Sequence, residues 1–202
     1  MKLPRLASAA FLASALASPV AAEKLSLDGI SAYLNGLRTG EAEFTQINDD
    51  GSISTGTLYM HRPGRMRFEY DPPEATLVLA SGNAVAIFDP KGNSGPETYP
   101  LERTPLKLIL ARNVNLGRAN MVVGHSHDGT ATTVTAQDPE RPELGTIQMV
   151  FTGPPIELRQ WRVNDDSGSS TTVVLGEMKT GGTYPSSLFS IQANTEQTNS
   201  PR

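Results

Sequence analysis

The feature that most limits the fold is a six-residue alternation enclosed by two proline turns. Apolar and polar side chains alternate strictly over residues 65–70, between Arg62-Pro63-Gly64 and Asp71-Pro72-Pro73. A period of two predicts a β-strand with one buried face. The same punctuation recurs throughout, since Gly and Pro make up about one residue in six against a usual ~12%. The chain is therefore predicted to fold as many short strands joined by turns, and a helix bundle is excluded.

The remaining periodicity completes a mainly β prediction with short α-helices. Ser26 is placed to cap a helix whose apolar residues Leu27, Ile30, Leu34 and Leu37 share one face. A second short helix is predicted from Thr104-Pro105 to Leu110. Strands are predicted from Glu41 to a turn at 48–51 and at 54–61, 65–70, 75–80, 84–88, 121–124, 130–136, 146–152, 157–163, 170–175 and 188–193. These elements predict one meandering antiparallel sheet.

The two ends of the chain are expected to lie outside that domain. Residues 1–22 hold Lys2 and Arg5, a short Ala/Leu-rich run and a small-residue end at Ala21-Ala22, which is the pattern of a cleaved secretory signal peptide. A single domain is predicted for residues 23–193, followed by a polar, disordered tail over 194–202. The protein is accordingly expected to be exported.

Composition excludes several classes of function. Cysteine is absent, so disulfides, a thiol nucleophile, Cys-ligated zinc and iron–sulfur clusters are ruled out. Loss of Lys2 and Arg5 with the signal peptide changes the formal net charge from −4 to −6. An acidic domain without a basic stripe is a poor binder of nucleic acid or of an anionic membrane.

No arrangement of residues in the sequence makes a convincing catalytic or metal site. His125 and His127 share a strand face, but no third ligand follows at a recognisable spacing. The acidic runs at 48–51 and 164–166 place carboxylates side by side, which indicates solvated turns rather than an alternating calcium loop. We therefore predict no catalytic residue, no metal and no cofactor.

Arg62 is singled out by its position at the entry to the alternating strand, directly before Pro63. From spacing alone, an exposed cation at a strand end is the simpler interpretation. The alternative is a cation at the rim of an apolar concave surface, where its planar set of N–H donors would hold main-chain carbonyls of a covering element.

Short blocks in a fixed order over about 150 residues resemble the outer-membrane lipoprotein carrier family, LolA. The blocks are Phe44-Thr45-Gln46, Gly56-Thr57-Leu58, Arg62 to Tyr70, Pro73, Leu77-Val78, Ser81-Gly82, Asp89-Pro90, Thr104-Pro105, Leu110 to Asn113, Gln160-Trp161, Asp166, Gly168, Thr171-Thr172 and Phe189. The resemblance implies a curved antiparallel sheet that forms an incompletely closed β-barrel, with a helical lid over a hydrophobic cavity.

The same resemblance implies a function and its partners. A family member collects acylated lipoproteins from an ATP-driven inner-membrane transporter, carries them across the periplasm and delivers them to an outer-membrane acceptor. Arg62 falls on the family's lid-closing arginine, and a monomer is expected. The cavity residues predicted here are Leu34, Phe44, Met66, Phe68 and Tyr70.

Two other hypotheses remain open at this point. The fold could carry or sense other periplasmic lipids. It could also serve an enzyme that uses the cavity, although the inward positions offer only Gln46 and Tyr70 as polar groups. The non-enzymatic lipoprotein carrier is the leading interpretation.

Overall fold

The computed structural model describes residues 23–92, 95–117 and 120–199. The predicted signal peptide, residues 1–22, lies outside this part of the chain. Three α-helices are described: α1 (Leu27–Gly36), α2 (Lys107–Leu110) and α3 (Ile191–Asn199). Short 3-10 helices cover Leu101–Arg103, Pro142–Leu144 and Ser186–Phe189. The strands are β1 (Thr39–Ile47), β2 (Ile53–His61), β3 (Arg65–Tyr70), β4 (Leu77–Ser81), β5 (Ala84–Phe88), β6 (Glu97–Pro100), β7 (Val122–His127), β8 (Thr132–Gln137), β9 (Thr146–Thr152), β10 (Glu157–Asn164), β11 (Ser170–Leu175) and β12 (Lys179–Thr180).

All twelve described strands belong to one antiparallel sheet. Its order is β6-β5-β4-β3-β2-β1-β11-β10-β9-β8-β7, and the short β12 also pairs with β1. Strands β6 and β7 form the two edges and do not pair with each other within the described residues. The predicted fold class, a mainly β antiparallel sheet that does not close completely, is confirmed.

The curvature of the sheet can be read from one aromatic contact. Phe68 on β3 and Trp161 on β10 are four strand positions apart in the sheet order. In a flat sheet that separation is about 19 Å, because neighbouring strands lie ~4.8 Å apart. The two ring centroids are only 6.3 Å apart. The sheet therefore curls so strongly that its two halves meet across the inner face.

Gly56 on β2 allows a tight approach within this curved sheet. It lies between Phe44 of β1 and Tyr70 of β3 in the strand register. A Cβ at this position would clash with the main-chain oxygen of Glu69 and lie 2.9 Å from the Phe44 ring. Only glycine fits here, and the space that it leaves is filled by the Phe44 ring.

The inner face is covered by α1 and by residues 101–116, called here the covering segment. Ser26 caps α1 as predicted, because its hydroxyl oxygen accepts a hydrogen bond from the Gly29 amide at 3.0 Å. One buried cluster joins the apolar face of α1, the covering segment and the inward side chains of nine strands. Its largest fully buried members are Trp161, Phe151, Ile30, Leu34, Leu58, Met60, Met66, Ile109, Leu110 and Ile147.

The outer face of β3 to β5 is covered by residues 184–199, called here the C-terminal segment. Leu79, Ala86 and Phe88 form a second buried cluster on this face, against which Ile191 packs. The strand predicted at 188–193 is therefore wrong, because the chain forms a 3-10 helix followed by α3. Residues 194–199 of the tail that was expected to be disordered belong to α3, and residues 200–202 lie outside the described part of the chain. Ser190 caps α3 by accepting a hydrogen bond from the Ala193 amide.

Smaller differences concern the predicted helix at Thr104-Pro105. Thr104 ends the preceding 3-10 helix, since its amide donates to the Leu101 carbonyl, and α2 begins only at Lys107. Strands β6 and β12 were also not predicted, because their sequences lack apolar alternation and their residues are exposed. Among the described residues, no helix is long and apolar enough to cross a bilayer.

Candidate functional site

The predicted cavity residues come together on the inner face of the sheet. Leu34, Phe44, Met66 and Phe68 belong to the buried cluster on the inner face, with Met66 fully buried and Phe68 7% exposed. Tyr70 is partly buried and packs against the same cluster. These side chains are covered by α1 and the covering segment, so a ligand reaches them only after a cover moves.

Four aromatic rings line one end of this interior. Phe44 lies edge-on to Phe68 at 5.3 Å and to Tyr70 at 5.1 Å between ring centroids. Trp161 completes the group from the opposite half of the sheet through its contact with Phe68. Edge-to-face pairs of this kind are favourable beyond the area that they bury. The aromatic surface of the interior is thus concentrated where the two halves of the sheet meet.

Trp161 was not predicted as a cavity residue. Strand alternation counted from the buried Leu158 would place it on the outer face. The register of β10 against β9 shifts by one residue between Leu158 and Gln160. This bulge returns Trp161 to the inner face, where it is 2% exposed. Nothing in the local sequence marks the bulge.

The polar groups at this end of the interior are hydrogen-bonded to each other. The Tyr70 hydroxyl donates to Gln46 Oε1 at 2.6 Å, and Gln46 Nε2 donates to Asn48 Oδ1 at 2.8 Å. Burial raises the pKa of Tyr70 to about 12, so the hydroxyl stays protonated at neutral pH. These contacts satisfy the polar atoms that would otherwise face apolar surface.

Arg62 is buried at the opposite end of β3, so it is not the exposed strand-end cation of the simpler interpretation. Only 5% of the residue is exposed, and its Nη2 donates a hydrogen bond to the Ala111 carbonyl at 2.5 Å. Its Nε is buried without a hydrogen-bond partner. Burial, together with the nearby charge of Arg38, lowers the pKa of Arg62. The side chain thus joins the strand entry to the residue that directly follows α2.

Further hydrogen bonds hold the covering segment through its main chain. The Gly64 amide donates to the Leu110 carbonyl at 2.9 Å. Asn35 on α1 binds both main-chain groups of Val114, donating to its carbonyl at 2.8 Å and accepting from its amide at 2.9 Å. The Ser31 hydroxyl accepts from the Leu116 amide at 3.0 Å. Sequence reasoning missed Asn35 and Ser31, because polar residues on the second face of an amphipathic helix are usually solvated.

Helix α1 is itself anchored to the second half of the sheet. The Leu25 amide donates to Thr132 Oγ1 at 2.9 Å, and the Leu25 carbonyl is 2.9 Å from His125 Nε2. His127 contacts Thr132 Oγ1 at 3.2 Å through Nδ1. Both histidines therefore take part in the local hydrogen bonding of β7 and β8. In the part of the chain that the structure describes, no group of three metal-ligating side chains lies together.

A group of charged side chains ties the covering segment to the loop after β8. Lys107 on α2 forms an ion pair with Asp138 at 2.5 Å and lies 3.5 Å from Glu102. Arg141 contacts both carboxylates, at 3.3 Å and 3.4 Å. The hydrogen bond from Lys107 holds the pKa of Asp138 below its usual range. These pairs join the segment that follows edge strand β6 to the loop after β8, which lies next to the other edge strand, β7.

The arrangement can bind aliphatic chains. Burying apolar surface is favourable by ~0.8 kcal/mol per CH₂, and the interior presents apolar and aromatic side chains. The covers are held on this surface by the burial of their own apolar side chains, among them Ile30, Leu34, Ile109 and Leu110, and by hydrogen bonds with a net value of about 0.5–1.5 kcal/mol each. An apolar ligand that displaces a cover replaces those apolar contacts with its own.

Comparison with protein families identifies relatives of the chain. A family model described as outer membrane lipoprotein carrier protein LolA matches residues 35–192. An outer-membrane lipoprotein carrier protein of Chromobacterium violaceum is 25% identical over 191 residues, which cover 91% of this chain and 90% of that protein. A protein of the same name from Methylococcus capsulatus is 26% identical over 176 residues, covering 79% and 80%.

A solved structure shares the fold at low sequence identity. The crystal structure of a DUF1329 family protein from Desulfovibrio piger aligns with a TM-score of 0.51 and 11% identity. The alignment covers 83% of this chain and 95% of that one. At this identity the likeness concerns the architecture alone.

Proposed function

Because the chain belongs to the LolA family of outer-membrane lipoprotein carriers, we propose that it carries acylated lipoproteins across the periplasm. It receives them from an ATP-driven transporter of the inner membrane and passes them to an acceptor at the outer membrane. It acts as a monomer and catalyses no reaction. The cargo's acyl chains bind in the apolar interior, while its polypeptide stays outside.

In this proposal, acyl chains take the place of the covers rather than fill an empty space. The predicted cavity residues Phe44, Met66 and Phe68 are already packed against the covers in the closed form. When the covers lift, the acyl chains pack against the same side chains, so binding and release stay close to balance. A carrier needs this balance, because it must give up cargo that buries many methylene groups.

The observation that carries the proposal is the contact of buried Arg62 with the Ala111 carbonyl. A hydrogen bond from a charged donor in a desolvated setting is worth about 1.5–3 kcal/mol. Counted alone, without the cost of the unpaired Arg62 Nε, that is enough to change the ratio of closed to open forms tenfold or more. Its partner is a main-chain atom of the covering segment, so the contact holds that segment over the interior without fixing its side chains.

Substitution of Arg62 tests the proposal. Arg62→Leu removes the donor, so the covering segment competes less well for its own interior and cargo should leave more slowly. We expect tagged Arg62→Leu purified from the periplasm to hold more lipoprotein than wild type. Arg62→Lys, which retains the charge but loses the planar donor set, should be intermediate.

The matched control is Arg159→Leu, which removes an exposed arginine from β10. Equal lipoprotein occupancy in Arg62→Leu, Arg159→Leu and wild type, with normal delivery to the outer membrane, would refute the role of Arg62. Absence of lipoprotein from all three would refute the carrier function.

A separate experiment tests whether the protein is secreted to the periplasm. We expect the secreted protein to begin at Glu23, since the small residues before it suit a signal peptidase. N-terminal sequencing of protein from the periplasmic fraction checks this. A chain that retains Met1, or that fractionates with the cytosol, would contradict the proposed route.

A further inference from the structure

An open groove lies at the rim of the interior, beside the covering segment. It has a volume of about 620 Å³ and lies between the start of β3, the β4–β5 turn and the covering segment. We call it the rim groove. It is lined by Pro63, Gly64, Arg65, Ser81, Gly82, Asn83, Leu101, Glu102, Lys107, Leu110, Ala111 and Arg112.

The rim groove is positively charged, although the whole chain carries a formal net charge of −4. Three of its lining residues are cationic and one, Glu102, is acidic. Lys107 is neutralised by its ion pairs with Asp138 and Glu102. Arg65 and Arg112 form no ion pair with any acidic residue among those described, and Arg112 is exposed. The groove therefore presents one exposed, uncompensated guanidinium, that of Arg112. Arg65 also lines the groove, and its guanidinium lies 5.9 Å from the centre of the Phe189 ring.

The rim groove borders the proposed acyl-binding interior. Leu101 and Leu110 line the groove and also belong to the buried inner cluster. The Ala111 carbonyl that accepts the bond from Arg62 belongs to another lining residue. A ligand with an anionic group a few bonds from its aliphatic chains could therefore occupy the groove and the interior together.

We propose that the rim groove binds the phosphate of an anionic phospholipid whose acyl chains enter the interior beneath the covering segment. This inference rests on the proposed acyl-binding function. Arginine favours phosphate, because its planar donors match the phosphate oxygens in pairs. In a phospholipid the glycerol backbone holds the phosphate a few bonds from the acyl chains. The rim groove lies similarly close to the interior, because Leu101 and Leu110 border both. The acidic net charge of the whole chain does not oppose such local recognition, since exposed charges beyond about 10 Å are screened.

Three soluble probes separate the headgroup from the chains. Dioctanoyl phosphatidylglycerol offers both, dioctanoylglycerol offers the chains alone, and glycerol 3-phosphate offers the phosphate alone. Calorimetric titration of the whole secreted protein should show phosphatidylglycerol binding about tenfold more tightly than dioctanoylglycerol, and glycerol 3-phosphate binding weakly.

Arg112→Gln should weaken phosphatidylglycerol binding about fivefold and leave dioctanoylglycerol binding unchanged. Arg112→Lys should recover part of the loss. Arg159→Gln is the matched control, since it removes one exposed arginine on β10 and should change neither affinity. Arg65→Gln tests the second guanidinium, with circular dichroism as the check on folding because Arg65 also lies over the Phe189 ring.

Binding of a triacylated lipopeptide, measured in parallel, distinguishes this inference from the proposed function. If the lipopeptide binds but phosphatidylglycerol and dioctanoylglycerol bind equally, the rim groove proposal fails and the carrier function stands. If glycerol 3-phosphate binds as tightly as phosphatidylglycerol, the groove is a simple anion site and the proposal also fails. If only phosphatidylglycerol binds, with loss in Arg112→Gln, the groove stands and the lipoprotein function fails. If no probe binds, both are overturned.

Discussion

Arg62 and Arg67 each hold a segment that covers one face of the same sheet, but they differ in how many hydrogen bonds and ion pairs they form. On the outer face, Arg67 Nη1 donates to the Leu188 carbonyl at 2.9 Å and to Asn194 Oδ1 at 3.0 Å. Its Nε donates to Glu69, with which it also forms an ion pair. On the inner face, Arg62 makes one such contact and keeps a buried Nε without a partner.

The difference shows which cover is suited to move. A buried unpaired donor costs about 1–3 kcal/mol, and water can satisfy it when the cover lifts. The closed form of the inner cover therefore includes the penalty of an unpaired guanidinium donor. The outer cover also buries one unpartnered polar atom, His61 Nδ1 beside Phe189, but none of the unpartnered buried atoms among the described residues belongs to Arg67. We therefore expect Arg67 to hold its segment more firmly than Arg62 holds the covering segment.

The largest effects are expected from removing one buried aromatic side chain on each face, Phe68 beneath the inner cover and Phe189 within the outer one. Phe68→Ala and Phe189→Ala should each lower the free energy of unfolding by about 3–4 kcal/mol, because both side chains are buried. Only Phe68→Ala should also weaken binding of a fluorescent lipopeptide, since Phe189 packs on the outer face against His61 and Tyr184. Urea unfolding and fluorescence titration measure the two quantities.

Each variant serves as the control for the other, because both replace a buried phenylalanine with alanine at a similar expected loss of stability. Equal loss of lipopeptide binding in the two variants would indicate a general effect of instability. Unchanged binding in Phe68→Ala would show that the inner face is not the binding surface.

A smaller effect is expected from truncating the two arginines. Arg67→Ala should reduce the free energy of unfolding by about 2 kcal/mol, because it leaves Glu69 and two acceptors without their donor. Arg62→Ala should change global stability by less than about 1 kcal/mol, since it also removes the unpaired Nε. It should instead speed amide hydrogen exchange in the covering segment.

Hydrogen exchange followed by mass spectrometry distinguishes the two covers. The comparison fails if Arg62→Ala destabilises the protein as much as Arg67→Ala. It also fails if exchange in residues 101–116 is no faster in Arg62→Ala than in wild type.

The smallest effect concerns the ion pair of Lys107 with Asp138. The pKa of Asp138 is lower in the folded protein than its unfolded value of ~3.9, so the pair stabilises the fold above that pH. The contribution is lost as the pH falls through the folded pKa. Asp138→Asn should cost about 0.5–1 kcal/mol at pH 7 and nothing near pH 2. Urea unfolding of both proteins at the two pH values tests this, and an equal difference at both would contradict it.

The parts of the fold that could be predicted are those where local pattern and burial agree. The bounds of β3, β5, β9 and β11 match the sequence prediction because apolar runs or alternation end at clear turn residues. The C-terminal segment could not be predicted from pattern, since its apolar residues Leu188, Phe189 and Ile191 follow no single period. The Ser190 cap was the one available signal for α3.

The candidate site was predictable only in part, for a similar reason. The sequence singled out Arg62 and the apolar residues of β3, whose positions depend on one strand. Trp161 depends on a bulge, and Asn35 depends on the path of a segment nearly eighty residues away. Long-range register of this kind leaves no trace in a single sequence. The assignment of these residues to lipid binding stays a prediction.

Arg62, Gly64, Asn35 and Ser31 are all hydrogen-bonded to main-chain atoms of the covering segment, and Ser31 acts there as the acceptor. Every residue type except proline offers the same main-chain donor and acceptor. The side chains at 110, 111, 114 and 116 can therefore be exchanged without removing a partner from any of these bonds. In the proposed carrier, substitutions at these four positions would change the fit to longer, shorter or branched acyl chains and would leave the hydrogen bonds that hold the covering segment in place.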